Sequence, residues 1–164
     1  MESTLLGLVL DSSVLIAERR KLTSEQAIET VRKAAGEIPI VLSALTIAEI
    51  GHGIYRANAP EIRDRRRAFL DELKATVPVH PFTEATAEVM ARIGGEQAMR
   101  GVNLPLGDLI IAACALELGY AVGTSNVRDF APHSWSKHRS SVVEELRPSR
   151  TQDRPLVTNE NCFA

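Results

Sequence analysis

Four short apolar runs, LLGLVLD (5–11), IPIVLS (38–43), VPVHPF (77–82) and AVGTS (121–125), are separated by segments of helical periodicity. This alternation constrains the fold more than any other feature. A continuous apolar run suits a strand buried on both faces, the environment of a parallel sheet covered by helices. Strands that alternate with helices predict an α/β domain around a mainly parallel sheet of four to five strands.

The helical segments carry their own end signals. A short helix is expected over 13–20. Thr23 and Gln26 have capping-box spacing, and Gly36 suits the stop of that second helix. A helix over 44–57 carries Glu49, and Gly53, one turn on, is read as a point where another backbone comes close. Pro60 suits the first turn of a helix over 60–75 that puts Ile62, Phe69, Leu70 and Leu73 on one face. Thr83 is the expected cap of a helix running to about Arg100.

The helix expected from 107 to a stop at Gly119 is different, because eight apolar residues run unbroken from Leu109 to Leu116. Such a helix is buried nearly all round, yet it opens on Asp108. An aspartate there either caps the helix by accepting from a backbone N–H or faces a site where its charge does chemistry. Taken alone, the cap is the commoner role.

At 164 residues the chain is read as one domain, 1–146, followed by a mobile tail, 147–164, rich in Ser, Arg, Pro, Thr and Asn. A net charge of −2 provides no general basic field, so nucleic-acid binding has to come from local patches. RDRRR (63–67) is read as a solvated face, with phosphate contact as the alternative. Two cysteines, Cys114 inside the apolar helix and Cys162 near the end of the chain, argue for reduced thiols. The run Leu5–Leu10 is too short for a signal sequence and lacks a basic residue before it. No apolar run approaches the roughly 20 residues that span a bilayer. A cytoplasmic protein with no membrane association is expected.

Ligands of open parallel sheets bind at the carboxyl ends of the strands. Asp11 ends the first apolar run, Glu49 lies six residues past the second, and Asn126 and Asp129 follow the fourth. Asp108 opens the helix that feeds the fourth strand, so it shares that edge. Carboxylates brought together repel unless a cation compensates them. Oxygen-rich sites of this kind suit Mg²⁺ or Mn²⁺, which can activate water for attack on a phosphodiester.

Three segments, LVLDSSVLIA (8–17), LSALTIAEIGHGI (42–54) and NLPLGDLIIAACALELGYAVGTSNVRDF (103–130), are similar to the PIN-domain nucleases, specifically the VapC-type toxins of toxin–antitoxin pairs. The resemblance implies a Rossmann-like three-layer α/β/α domain. It places the family's acids on Asp11, Glu49 and Asp108, which favours chemistry over capping at Asp108. A further acidic position falls on Asn126, a neutral oxygen ligand, with Asp129 as the alternative source of charge. Thr124 is a weaker candidate to orient water at the metal. The implied protein is a metal-dependent endoribonuclease toxin with an RNA substrate, a VapB-type antitoxin, a homodimeric state and a toxin–antitoxin hetero-oligomer. The alternative is a PIN-like module that binds RNA or protein without cleaving. Beyond Phe130 the chain departs from the pattern, leaving only Val142 and Val143 as apolar candidates for a fifth strand.

Overall fold

The computed structural model describes residues 6–19 and 23–125, with the backbone alone at 17–18 and 143–145. β1 (Leu8–Leu10) leads into α1 (Ser12–Glu18) and α2 (Ser24–Ala35). β2 (Ile40–Ser43) is followed by α3 (Ala44–Tyr55) and α4 (Pro60–Thr76). β3 (Val79–His80) precedes α5 (Glu84–Met99) and α6 (Leu106–Leu118), and β4 (Ala121–Thr124) and β5 (Val143–Glu145) come last. All ladders are parallel, in the order β3-β2-β1-β4-β5, so the sheet has the fifth strand that the sequence only weakly signals.

The pleat of the central strands divides the core in two. Leu8 and Leu10 of β1 pack with α1–α4 residues, among them Leu15, Ile28, Ile50 and Leu73. Val9 points the other way, with Val122 of β4, onto Ile93 of α5 and Ile111 and Ala115 of α6. Both faces of the sheet are therefore covered, which explains why its strands are apolar without alternation. Each fully buried Leu or Ile of this kind contributes about 1.5–3 kcal/mol relative to exposure. α6 packs against β1, β4, α3 and α5, and so requires an apolar surface nearly all round.

The helix ends follow the local chemistry. Gln26 N donates to Thr23 Oγ1 while Thr23 N donates to Gln26 Oε1, completing the capping box. Pro60 is the first residue of α4, and Thr83 caps α5 by accepting from Thr86 N. Gly119 ends α6 at φ +68°, a left-handed backbone that glycine adopts without strain.

Two strands are shorter than the apolar runs suggest. β3 spans two residues because Pro78 and Pro81 flank it and neither can donate to a ladder; Pro78 contributes only its carbonyl, to Leu42 N. β1 begins at Leu8, after an exposed Leu6, and stops at Leu10, where Asp11 turns into α1. Among the described residues no helix is long and apolar enough to cross a membrane. The expected tail, 147–164, and Cys162 lie outside the described residues.

Candidate active site

The strand order reverses direction between β1 and β4, and a parallel sheet opens a crevice at that switch point. Asp11 stands there. Its N–H donates to Gly123 O at 2.8 Å, which carries the β1–β4 register one residue past β1. Asp11 also occupies the N-cap position of α1, yet its side chain makes no capping bond. Thr23, Ser43 and Thr83, the other N-cap residues with a side-chain acceptor, all cap their helices. The Asp11 carboxylate turns instead towards β4. Its Oδ2 accepts from Thr124 Oγ1 at 2.8 Å and from Ser13 Oγ at 2.5 Å. Ser13 Oγ in turn accepts from Ser125 N at 3.2 Å and lies 3.3 Å from Thr124 Oγ1. Asp11 is buried to 9 % exposure, Thr124 completely.

α3 is anchored beside this cluster. Ser43 caps it by accepting from Thr46 N, and Thr46 Oγ1 donates to Leu10 O, the carbonyl just before Asp11. Glu49 follows on the second turn, half-buried. Its Oε2 is buried without a hydrogen-bond partner among the described residues. A Cβ added at Gly107 would lie 3.5 Å from Glu49 Oε1 and 3.5 Å from Leu45 Cδ2, so the first turn of α6 rests directly against Glu49.

Asp108 is the next residue, in that first turn and partly buried. The N-cap position of α6 belongs to Pro105, with no side-chain cap, so Asp108 is not the capping residue. Its carboxylate gains from the positive end of the helix dipole. The structure thus links Asp11 to the start of α3, and Glu49 to the residue preceding Asp108. Among the described residues no three His, Cys, Asp or Glu side chains form a metal-holding group by themselves. Asn126 and Asp129 lie outside the described residues.

Ser13 is a site residue that the sequence reading missed. Its signal was the DSS triplet, because a serine two residues after an aspartate is placed to bond back to it. Other expectations need correction. At Gly53 the three nearest atoms are not backbone but those of the Arg19 guanidinium, whose Nη1 would lie 2.8 Å from an added Cβ, and the Gly53 carbonyl accepts from Arg66 Nη1. RDRRR is accordingly not a uniformly solvated face, since Arg66 is half-buried. Arg67 Nη2 donates to Tyr55 OH at 3.1 Å, with its guanidinium 5.5 Å from the Tyr55 ring centre. Cys114 is buried, which pushes its thiol up to about 11, with the nearby Glu117 charge adding to the effect.

The family model described as PIN domain matches residues 8–131. This chain belongs to the PIN-domain family. The match spans all five candidate positions, Asp11, Glu49, Asp108, Asn126 and Asp129. This PIN domain is 32% identical to a protein named Ribonuclease VapC1 from Rickettsia felis, over 76% of this chain and 89% of that one. It is 28% identical to a chain in the crystal structure of VapBC-5, a member of the VapBC family of toxin–antitoxin systems from Mycobacterium tuberculosis. That similarity covers 84% of this chain and 97% of the other, with a TM-score of 0.62. A chain of VapBC2 from Rickettsia felis, bound to a DNA fragment from its promoter, shares the fold at a TM-score of 0.69 and 16% identity, covering 84% of this chain and 97% of that one.

Proposed function

We propose that this PIN domain is the toxin of a toxin–antitoxin pair and an endoribonuclease that depends on Mg²⁺ or Mn²⁺. The observation that carries the reading is the Asp11 carboxylate, which leaves its own helix uncapped and is held by two hydroxyls at the switch point. The donor chemistry fits a hard cation. Glu49 Oε2 is a buried carboxylate oxygen without a partner among the described residues, a costly arrangement that a cation relieves. Asp11, Glu49 and Asp108 would hold the ion, with Asn126 or Asp129 completing the set; such ions need few protein ligands. A bound divalent cation would neutralise the carboxylates and supply positive charge where a phosphodiester reacts.

The chain's own residues do the positioning. Thr124 and Ser13 occupy Oδ2 of Asp11 and leave Oδ1 for a ligand. The first turn of α6, at Gly107, borders Glu49 Oε1. The first turn of α6 favours a charged Asp108.

Similarity to Ribonuclease VapC1 supports an RNA substrate, and similarity to chains of VapBC assemblies supports a VapB-type antitoxin; a homodimer within the hetero-oligomer belongs to the same reading. An RNA substrate places the action in the cytoplasm. A second reading, an RNA-binding module that does not cleave, is favoured by one feature: the family's further acidic position carries an amide, Asn126. Incubation with total RNA separates the two. Cleavage that requires Mg²⁺ or Mn²⁺ and stops with a chelator is expected; intact RNA at every metal concentration refutes the enzyme.

A further inference from the structure

The ends of β1 and β2 are flush, because Leu10 pairs with Leu42 in the parallel ladder. α3 begins at Ala44, directly after Ser43 closes β2, so no linker separates that strand from the helix carrying Glu49. Ser43 caps the helix by accepting from Thr46 N, which leaves the Thr46 hydroxyl without a capping task. Thr30 and Thr76, inside their own helices, return their hydroxyls to the preceding turn, at Gln26 O and Glu72 O. Thr46 reaches out of its helix instead. Its Oγ1 donates at 2.9 Å to Leu10 O, 36 positions away on β1. With that proton committed to Leu10, the 3.0 Å contact between the two hydroxyls is Ser43 Oγ donating to Thr46 Oγ1. Two hydrogen bonds in series thus end on the carbonyl just before Asp11, each polarising the other. Ser43 and Thr46 are both completely buried, so water does not compete for these bonds.

Glu49 stands three residues after Thr46, on the same side of α3 and roughly 4.5 Å along its axis. A bond that fixes Thr46 against the end of β1 therefore fixes the rotation of α3 and the side to which Glu49 projects. At the other end of the bond, Asp11 follows Leu10 directly. Two carboxylates that are to share a cation repel each other until it joins them. The repulsion works to part α3 from β1, and Thr46 is the side chain that ties one to the other.

We propose that Thr46 is a positioning residue for the divalent cation: its buried hydroxyl, backed by Ser43, sets the gap between Asp11 and Glu49 without touching ion or substrate. The inference rests on the metal-dependent ribonuclease reading above. It deepens that reading by assigning part of the metal affinity to the junction of β1 and α3.

The test titrates the full chain with Mn²⁺ and follows the EPR signal of the free ion, so the readout does not depend on RNA. Thr46→Val keeps the volume and removes the hydroxyl. It should weaken Mn²⁺ binding roughly tenfold, the lower end for residues that stand behind metal ligands. Thr46→Ser keeps the hydroxyl and should bind Mn²⁺ as the parent does. Ile28→Val, a core substitution on α2, controls for general destabilisation; it should lower Tm and leave Mn²⁺ affinity unchanged. Ser43→Ala leaves the bond to Leu10 in place and removes the hydroxyl behind it. A smaller loss is expected there, and this variant decides the matter if Thr46→Val does not fold. Parental affinity in Thr46→Val, or in Ser43→Ala where it stands in, overturns the positioning role and leaves the ribonuclease reading intact. Equal losses in Thr46→Ser and Thr46→Val overturn it too, because the hydroxyl is then not what holds the gap. So does a loss in Ile28→Val as large as that in Thr46→Val, which reduces Thr46 to fold stability. A parent that binds no Mn²⁺ and cuts no RNA refutes the functional reading first, and the role of Thr46 with it.

Discussion

Replacing Thr124 by valine exchanges a hydroxyl for a methyl group at a completely buried position, so volume is kept and one donor is lost. That donor serves Asp11 Oδ2 at 2.8 Å. Hydrogen bonds to charged groups are worth about 1.5–3 kcal/mol, against about 0.5–1.5 for neutral pairs. Ser13 remains as a second donor to the same oxygen, which places the expected cost of Thr124→Val at the lower end, about 1.5–2 kcal/mol. In a domain of this size each kcal/mol moves Tm by roughly 2–4 °C, so the variant should melt roughly 3–8 °C lower. The assay is thermal melting of a double-mutant cycle with Asp11→Asn. With the charge removed, the same Thr124→Val change should cost at most about 1 kcal/mol, because only a neutral hydrogen bond is lost. RNA cleavage should fall further than stability does, since Oδ1 of Asp11 is no longer aimed. A Tm within about a degree of the parent, or an equal cost in both backgrounds, would refute the claim that Thr124 positions a charged Asp11.

Asp108→Asn should abolish RNA cleavage and shrink the rise in Tm that Mg²⁺ or Mn²⁺ produces through linkage, while the fold persists; cleavage at the parental rate refutes its role. Asn126→Asp should tighten metal binding if Asn126 faces the ion, whereas unchanged binding there, together with loss in Asp129→Asn, assigns the position to Asp129. The Glu117 carboxyl is held below its ordinary value of 4.5, chiefly by the Thr86 hydroxyl and then by His80, with burial opposing them. A depressed carboxyl stabilises the fold above its unfolded value and loses that contribution as pH falls through the folded one, so Thr86→Val should lose less stability than the parent between about pH 5 and pH 3. Cys114, pushed up to about 11, should resist alkylation near pH 8 in a Cys162→Ser background until the protein unfolds; rapid labelling of the native protein contradicts its burial.

Much of this architecture was legible because local chemistry and burial agree. Thr23 with Gln26, Pro60, Thr83 and Gly119 mark helix ends by mechanisms that depend on only a few neighbouring residues. The continuous apolar runs announce a sheet covered on both faces. Strand length was less legible, since Pro78 and Pro81 shorten β3 inside a run whose hydropathy does not register the missing donors. Asp11 was found from its place after a strand, but its hydrogen-bond partners were not. Thr124 is 113 positions away, and no local pattern encodes that contact. The same holds at Gly53, where a glycine within a helix signals that something comes close but not whether it is backbone or the tips of two arginines.

β1 is the first strand made and the central one in the sheet, flanked by β2 and β4. During synthesis at about 5–20 residues per second, Thr124 follows Asp11 by roughly 6–23 s. Through that interval one edge of β1 has no partner strand and Asp11 has no Thr124 to hold it. The nascent chain therefore carries the first acid of the candidate site early but cannot assemble the pocket around it until most of the domain has left the ribosome. If the proposed ribonuclease reading holds, the enzyme would be silent for nearly the whole of its own translation, and a ribosome that stalls before β4 would release a fragment without a finished site.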